Sequence, residues 1–214
     1  MNMFKRLRRA FLEYIRENSG IYTVVTIFFL VGLVSGAIVV RFLDEKQLVE
    51  LGTAVSGFLE GLKSGANEVL MPLALLKSSL QKNTLFIIIV WVLGFLWMGF
   101  PLVLAAVAVK GFALGFTVAF IVSRSSLKGL VFCLAALLPH NLLLVPAYIL
   151  ATAAALTLSL LKFKDRLGKR RINRSKYYRD YCYFMALIFI LILFGAFVEA
   201  YITPVFMRLA ASVI

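Results

Sequence analysis

The sequence predicts an all-α, polytopic integral membrane protein: one membrane domain over residues 1–214, with about five transmembrane helices, a broken or re-entrant helix near Pro139 and amphipathic helices in an outer loop. Three observations predict it. First, 62% of the 214 residues are hydrophobic, 15% are charged and the mean hydropathy is +0.96, whereas soluble domains average about 45–50% apolar and about 25% charged. Second, the excess is gathered into the runs Ile21 to Leu43, Leu85 to Val109, Leu142 to Leu161 and Tyr183 to Phe206, each near the roughly 20 apolar residues that cross a bilayer core of ~30 Å. Third, the charge is placed asymmetrically along the chain.

That asymmetry orders the elements. Residues 1–20 carry five basic side chains against two acidic, 162–180 carry nine against two, and the stretch 44–83 carries four against five. Basic side chains next to membrane helices are retained in the cytoplasm, so the two basic stretches are expected inside and the loop 44–83 outside. Met1 to Arg9 resembles the start of a signal peptide, but the apolar run that follows exceeds the about 7–15 residues of a cleaved h-region, which predicts a retained anchor. Parity then requires four crossings between the two basic stretches, and a fifth leaves the C-terminus outside.

The third of these crossings is short. From Gly111 to Ser123 the helix would reach only about 20 Å at 1.5 Å per residue, so it is expected to borrow residues before Lys110, with Gly99-Phe100-Pro101 ending the second crossing. Leu127 to Leu138 is too short to span alone. Pro139 follows it, then His140, Asn141 and, one turn on, Pro146. Proline lacks an N–H and clashes with the preceding turn, which predicts an interruption here, with His140 and Asn141 capping the next helix.

In the outer loop Leu48, Leu51, Val55, Phe58, Leu59 and Leu62 recur every three or four residues, with Glu50, Glu60 and Lys63 off the stripe. A second set, Val69, Leu73, Leu76 and Leu80, surrounds Pro72. Both predict amphipathic helices, lying on the membrane or forming a docking surface for a protein outside it. Gly32 with Gly36 and Gly111 with Gly115 are Gly-x-x-x-Gly pairs that let helix backbones approach. They support packing within one chain as readily as a homodimer. Glu199, near the outer end of the last helix, is expected to pair with Arg208, Arg41 or Arg124.

Chemistry-bearing motifs are scarce. There is one histidine, and Cys133 and Cys182 lie in or beside apolar runs, where thiols behave as small hydrophobes. The chain shows no zinc-ligand spacing, no Gly-x-Ser-x-Gly elbow, no Walker A and no Gly-x-Gly-x-x-Gly after a strand, so neither catalysis, a metal nor a cofactor is expected. The basic stretch 162–180 lacks a nucleic-acid reader motif and is expected to face anionic lipid instead.

A family resemblance is carried by residues in order along nearly the whole chain. They are Glu17-Asn18-Ser19, Gly36-Ala37-Ile38-Val39-Val40, Trp91-Val92-Leu93-Gly94, Lys110-Gly111, Gly115-Phe116-Thr117-Val118, Leu138-Pro139-His140-Asn141 and Leu144-Val145-Pro146-Ala147-Tyr148. The chain resembles the stage II sporulation protein M family of endospore-forming bacteria, and its Leu-Pro-His-Asn stretch is similar to the Pro-His-Gly element of a broader family of small membrane proteins. The resemblance implies a non-enzymatic role in engulfment at the mother-cell septal membrane. It also implies two partners: sporulation protein P, an amidase and endopeptidase, and sporulation protein D, a lytic transglycosylase. The competing expectation from the residues is a channel or transporter built around Pro139 to Asn141, since discontinuous helices line many transport sites.

Overall fold

The computed structural model describes residues 19–63, 70–168 and 174–211; the side chains of 54–56, 58–63, 70–71, 124–136, 174 and 208–211 fall outside the description. The described residues are 95% helical, without strands, and contain five helices long and apolar enough to cross a membrane. Helix α1 spans Ser19–Val39 and ends in a 3₁₀ turn, Val40–Phe42. Helix α2 spans Glu45–Lys63, α3 Leu70–Phe95, α4 Phe100–Arg166 and α5 Arg174–Phe197. A π-helical turn, Val198–Ile202, joins α5 to α6, Thr203–Ala211.

The membrane-length segments are Ser19–Phe42, Pro72–Phe95, Phe100–Ser123, Leu137–Arg166 and Ser175–Met207. The number of crossings is as expected, the second ends and the third begins at the expected Gly99-Phe100-Pro101 break, and the start of the second differs. The second amphipathic set of the outer loop is the first part of α3, so the second crossing begins at Pro72 rather than Leu85. Lys77, Gln81, Lys82 and Asn83 depress the apolarity of this stretch in sequence, but Asn83 and Ser79 are turned inward and buried while the other three are exposed. The third crossing gains a full 24 residues by starting at Phe100. Lys110, which looked like a boundary, therefore sits midway along a span.

Helix α4 is continuous in its backbone pattern for 67 residues, with Pro139 and Pro146 inside it. The interruption expected near Pro139 is thus absent. A proline removes one intrahelical bond and strains one turn, a cost that membrane helices packed in a bundle accommodate. Nor is α4 a straight rod, which would be about 100 Å long at 1.5 Å per residue. The rings of Phe100 and Phe163 lie 5.7 Å apart and those of Trp97 and Phe163 6.3 Å apart. The helix must therefore double back, and the two membrane-length segments place the reversal between Ser123 and Leu137. We call Phe100–Ser123 the first limb and Leu137–Arg166 the second.

Helix α1 packs on the first limb through the four motif glycines. An added Cβ would lie 2.0 Å from the Ala108 carbonyl oxygen at Gly32, 2.1 Å from that of Phe112 at Gly36, 2.1 Å from that of Phe29 at Gly111 and 1.9 Å from that of Leu33 at Gly115. The opposed positions ascend together on both helices, so the two run parallel with backbones in contact. The Gly-x-x-x-Gly faces thus serve packing within the chain. The second limb is the centre of the bundle. Ala147, Ala151 and Ala155 on it are fully buried, and Ile87, Val90, Val107, Met185 and Ile192 from its neighbours join the same core.

The short link Leu96–Gly99 between α3 and α4 lies on the face where α4 ends and α5 begins. Helix ends leave carbonyls without intrahelical donors, and here side chains supply them. The Ser159 hydroxyl donates to the Leu96 carbonyl at 2.8 Å, the Tyr181 hydroxyl donates to that of Trp91 at 3.0 Å, and the Lys162 ammonium donates to that of Phe95. Gly168, at φ +70°, closes α4 in the left-handed conformation that suits glycine. Lys162, Lys164 and Arg166 populate the last turns, so this is the basic face of the bundle. Helix α2, α6 and the reversal of α4 belong to the opposite face.

Candidate functional site

The most polar locus within the membrane segments joins α3, both limbs of α4 and the π turn. Asn83 is at its centre, on α3. Its Nδ2 donates to Ser79 Oγ at 3.1 Å, one turn away, and Ser79 Oγ donates to Glu199 Oε2 at 2.5 Å. Asn83 Oδ1 accepts the Tyr148 hydroxyl at 2.5 Å and Lys110 Nζ at 3.3 Å. Lys110 Nζ also lies 5.0 Å from the Phe86 ring centroid and 4.8 Å from that of Tyr148, so two aromatic faces complete its surroundings. Every donor points the same way, from the ammonium through the amide and hydroxyl to the carboxylate. Such a directed chain is reinforced by a charge at each end.

The local fold explains why these side chains meet. A spacing of four residues puts Ser79 and Asn83 on one face of α3. The doubled-back α4 brings Lys110 and Tyr148 to the same depth. The π turn inserts one residue into the last rod, where such turns often mark functional positions; here it carries Glu199 inward, next to the fully buried Ala200. The Glu199 carboxylate acts electrostatically on Lys110, His140 and Tyr148, and Lys82 adds a second positive charge toward Lys110.

His140 belongs to an adjoining pair. It is 8% exposed, and its Nδ1 lies 3.3 Å from Thr203 Oγ1. The Thr203 hydroxyl proton goes to the Val198 carbonyl at 3.3 Å, so His140 Nδ1 is the donor to Thr203. His140 therefore ties the second limb to the last rod and caps nothing, because no helix begins there. Asn141 stays within α4, half-buried, and Pro146 is exposed between the buried Leu144 and Ala147. Glu199, expected to pair with an arginine, takes Ser79 as its hydrogen-bonding partner instead. Arg41 is exposed, and the side chains of Arg124 and Arg208 lie outside the description.

On the face opposite the basic one, the Asp44 N–H donates to Gln47 Oε1 at 3.2 Å at the start of α2, one half of a capping box. It covers the expected stripe. Leu48 and Leu51 are half-buried and Gly52 is buried, while Val55, Phe58, Leu59 and Leu62 have side chains outside the described set. Among the described residues, the part of the bundle that α2 touches is α6. Cys182 is a free, half-buried thiol on α5, and Cys133 lies outside the described side chains.

Five membrane-length helices closed around a directed polar chain define a multi-pass membrane protein whose interior is fixed by hydrogen bonds between spans as well as by apolar packing. The chain belongs to the stage II sporulation protein M family, whose family model matches residues 25–204, and it is accordingly a sporulation-related membrane protein. No curated protein and no solved structure matches it.

Proposed function

We propose that this protein is the membrane scaffold of the engulfment machinery, recruiting the cell-wall hydrolases sporulation protein P and sporulation protein D while breaking no bonds itself. The membrane is that of the mother-cell septum. The basic face is cytoplasmic, with the N-terminus on that side and the C-terminus outside. The observation that carries this reading is α2, an amphipathic helix on the face opposite the basic one that rests against the bundle only through α6 among the described residues. Family membership supports it. Tethering a hydrolase at the membrane makes later contacts effectively intramolecular, which raises avidity by ~10²–10⁴-fold without new chemistry.

The test is a triple substitution, Leu51→Ser, Phe58→Ser and Leu62→Ser. Each buried large apolar side chain contributes about 1.5–3 kcal/mol, so co-purification of the hydrolases from sporulating cells should fall at least about a hundred-fold while insertion is unchanged. Undiminished co-purification removes α2 from the mechanism.

A second reading is favoured by one observation, the half-buried Lys110 and Glu199 at membrane depth, since ionisable groups there mark transport pathways in many proteins. It predicts that proteoliposomes show ion or proton flux that falls at least about ten-fold in Lys110→Met or His140→Ala. The scaffold reading predicts no flux above empty vesicles for any of the three proteins.

A further inference from the structure

On the basic face, Trp97 from the α3–α4 link and Arg166 from the last turn of α4 form a cation–π pair. The Arg166 guanidinium carbon lies 4.2 Å from the Trp97 ring centroid, and the Trp97 ring is parallel to that of Phe163 within 5°. Phe100 packs edge-on to Phe163 at 5.7 Å, and Lys162 is held over the Tyr178 ring at 5.0 Å. Trp97 is 37% exposed, and Arg166 and Lys164 are exposed. Four segment ends converge here: Phe95, Phe100, Arg166 and Ser175. Aromatic side chains at such ends sit at headgroup level.

A guanidinium seated over an aromatic face has N–H groups at its edge that suit two oxygens of one phosphate. The cation–π contact already holds it at the ring, so less freedom is lost on binding. The pair is not balanced locally: Lys162, Lys164 and Arg166 share this turn with Asp165 alone. We propose that Trp97, Arg166 and Lys164 form a binding site for the phosphate of an anionic membrane phospholipid. The indole inserts beside the glycerol backbone, the guanidinium takes two phosphate oxygens and Lys164 supplies a second charge. The site is independent of the hydrolase reading, because it lies on the other face of the bundle.

The chain has two tryptophans, so Trp91→Phe leaves Trp97 as the sole fluorophore. This protein is reconstituted into mixed phosphatidylglycerol and phosphatidylcholine bilayers in which one lipid or the other is brominated, and quenching of Trp97 gives their relative affinity. Phosphatidylglycerol should be preferred about five-fold or more, and adding Arg166→Gln or Lys164→Gln should reduce that preference by about five-fold, the factor for one basic charge near the surface. Arg166→Lys, which retains the charge without the planar two-pronged guanidinium, should fall between. Millimolar inorganic phosphate, compared with chloride at matched ionic strength, should leave the quenching unchanged. Equal quenching by both lipids would show that Arg166 serves only the negative end of α4, and it would overturn the proposal. So would a preference that survives both glutamine substitutions, or displacement by inorganic phosphate, which would assign the site to a soluble anion.

Discussion

Replacing Gly115 with leucine is expected to separate α1 from the first limb of α4 and to lower the unfolding temperature of the detergent-solubilised protein on the order of 10 °C. Even the first carbon of the new side chain would stand 1.9 Å from the Leu33 carbonyl oxygen. That atom belongs to a helix backbone, so no rotamer change relieves the overlap and the whole rod must shift. Overpacking a well-filled core costs about 1–3 kcal/mol, sometimes more, and each kcal/mol is worth about 2–4 °C in a protein of this size. Gly32→Leu should act alike, since its neighbour is the Ala108 carbonyl oxygen at 2.0 Å. Gly20→Ala is the control. Nothing lies within 4 Å of a Cβ there, and alanine is the better helix former by about 1 kcal/mol, so this change should be neutral or slightly stabilising. Equal losses at all three sites would show that the glycines matter for helix formation generally and not for this contact.

The second large effect concerns Lys110 and Glu199. Removing one charge leaves the other inside the membrane segment without its counterpart, and breaking a buried pair costs about 3–5 kcal/mol. Lys110 and Glu199 are both half-buried and are linked through Asn83 and Ser79 rather than in a direct ion pair, so the lower end of that range applies. Lys110→Met and Glu199→Gln should each destabilise by about 3 kcal/mol, whereas the double variant should lose about 1 kcal/mol, the worth of the hydrogen bonds that go with the charges. Equilibrium unfolding of the four proteins in detergent measures this coupling. Additive losses would mean that the two charges act separately and that the chain through Asn83 and Ser79 transmits nothing. Asn83→Ala offers an independent check, because it removes the acceptor of both Lys110 and Tyr148 and should destabilise as much as either single charge deletion.

Uninterrupted apolar runs made the first and last spans legible in the sequence, and the basic stretch at 162–180 marked the face where α4 ends. The second span was placed too late because hydropathy averages over all sides of a helix. It cannot see that Ser79 and Asn83 turn inward while Lys77, Gln81 and Lys82 turn out. Local rules for proline predicted a break at Pro139, yet the helix runs through it, as membrane helices in a packed bundle can. The glycine pairs were legible as motifs, but their partner was not, since nothing in a motif says which other helix it meets. The polar network was hidden for a similar reason: Ser79 and Glu199 are 120 residues apart, and Lys110 and Asn83 are 27 apart. One signal was present nonetheless. Asn83, Lys110 and Glu199 are strongly polar residues inside or beside apolar runs, and membrane helices bring such residues together to satisfy them.

The spans are fastened to one another by the polar chain and the glycine contacts, and among the described residues α2 touches that bundle only through α6. A scaffold needs a rigid part that sets position and a helix that makes the contact. A photo-crosslinking residue placed at Leu51 in the full-length protein, activated in sporulating cells during engulfment, reads that division most directly. Adducts with sporulation protein P or sporulation protein D are the result expected. Adducts with lipid alone, or hydrolase adducts arising instead from a crosslinker at Lys164 on the basic face, would contradict the account.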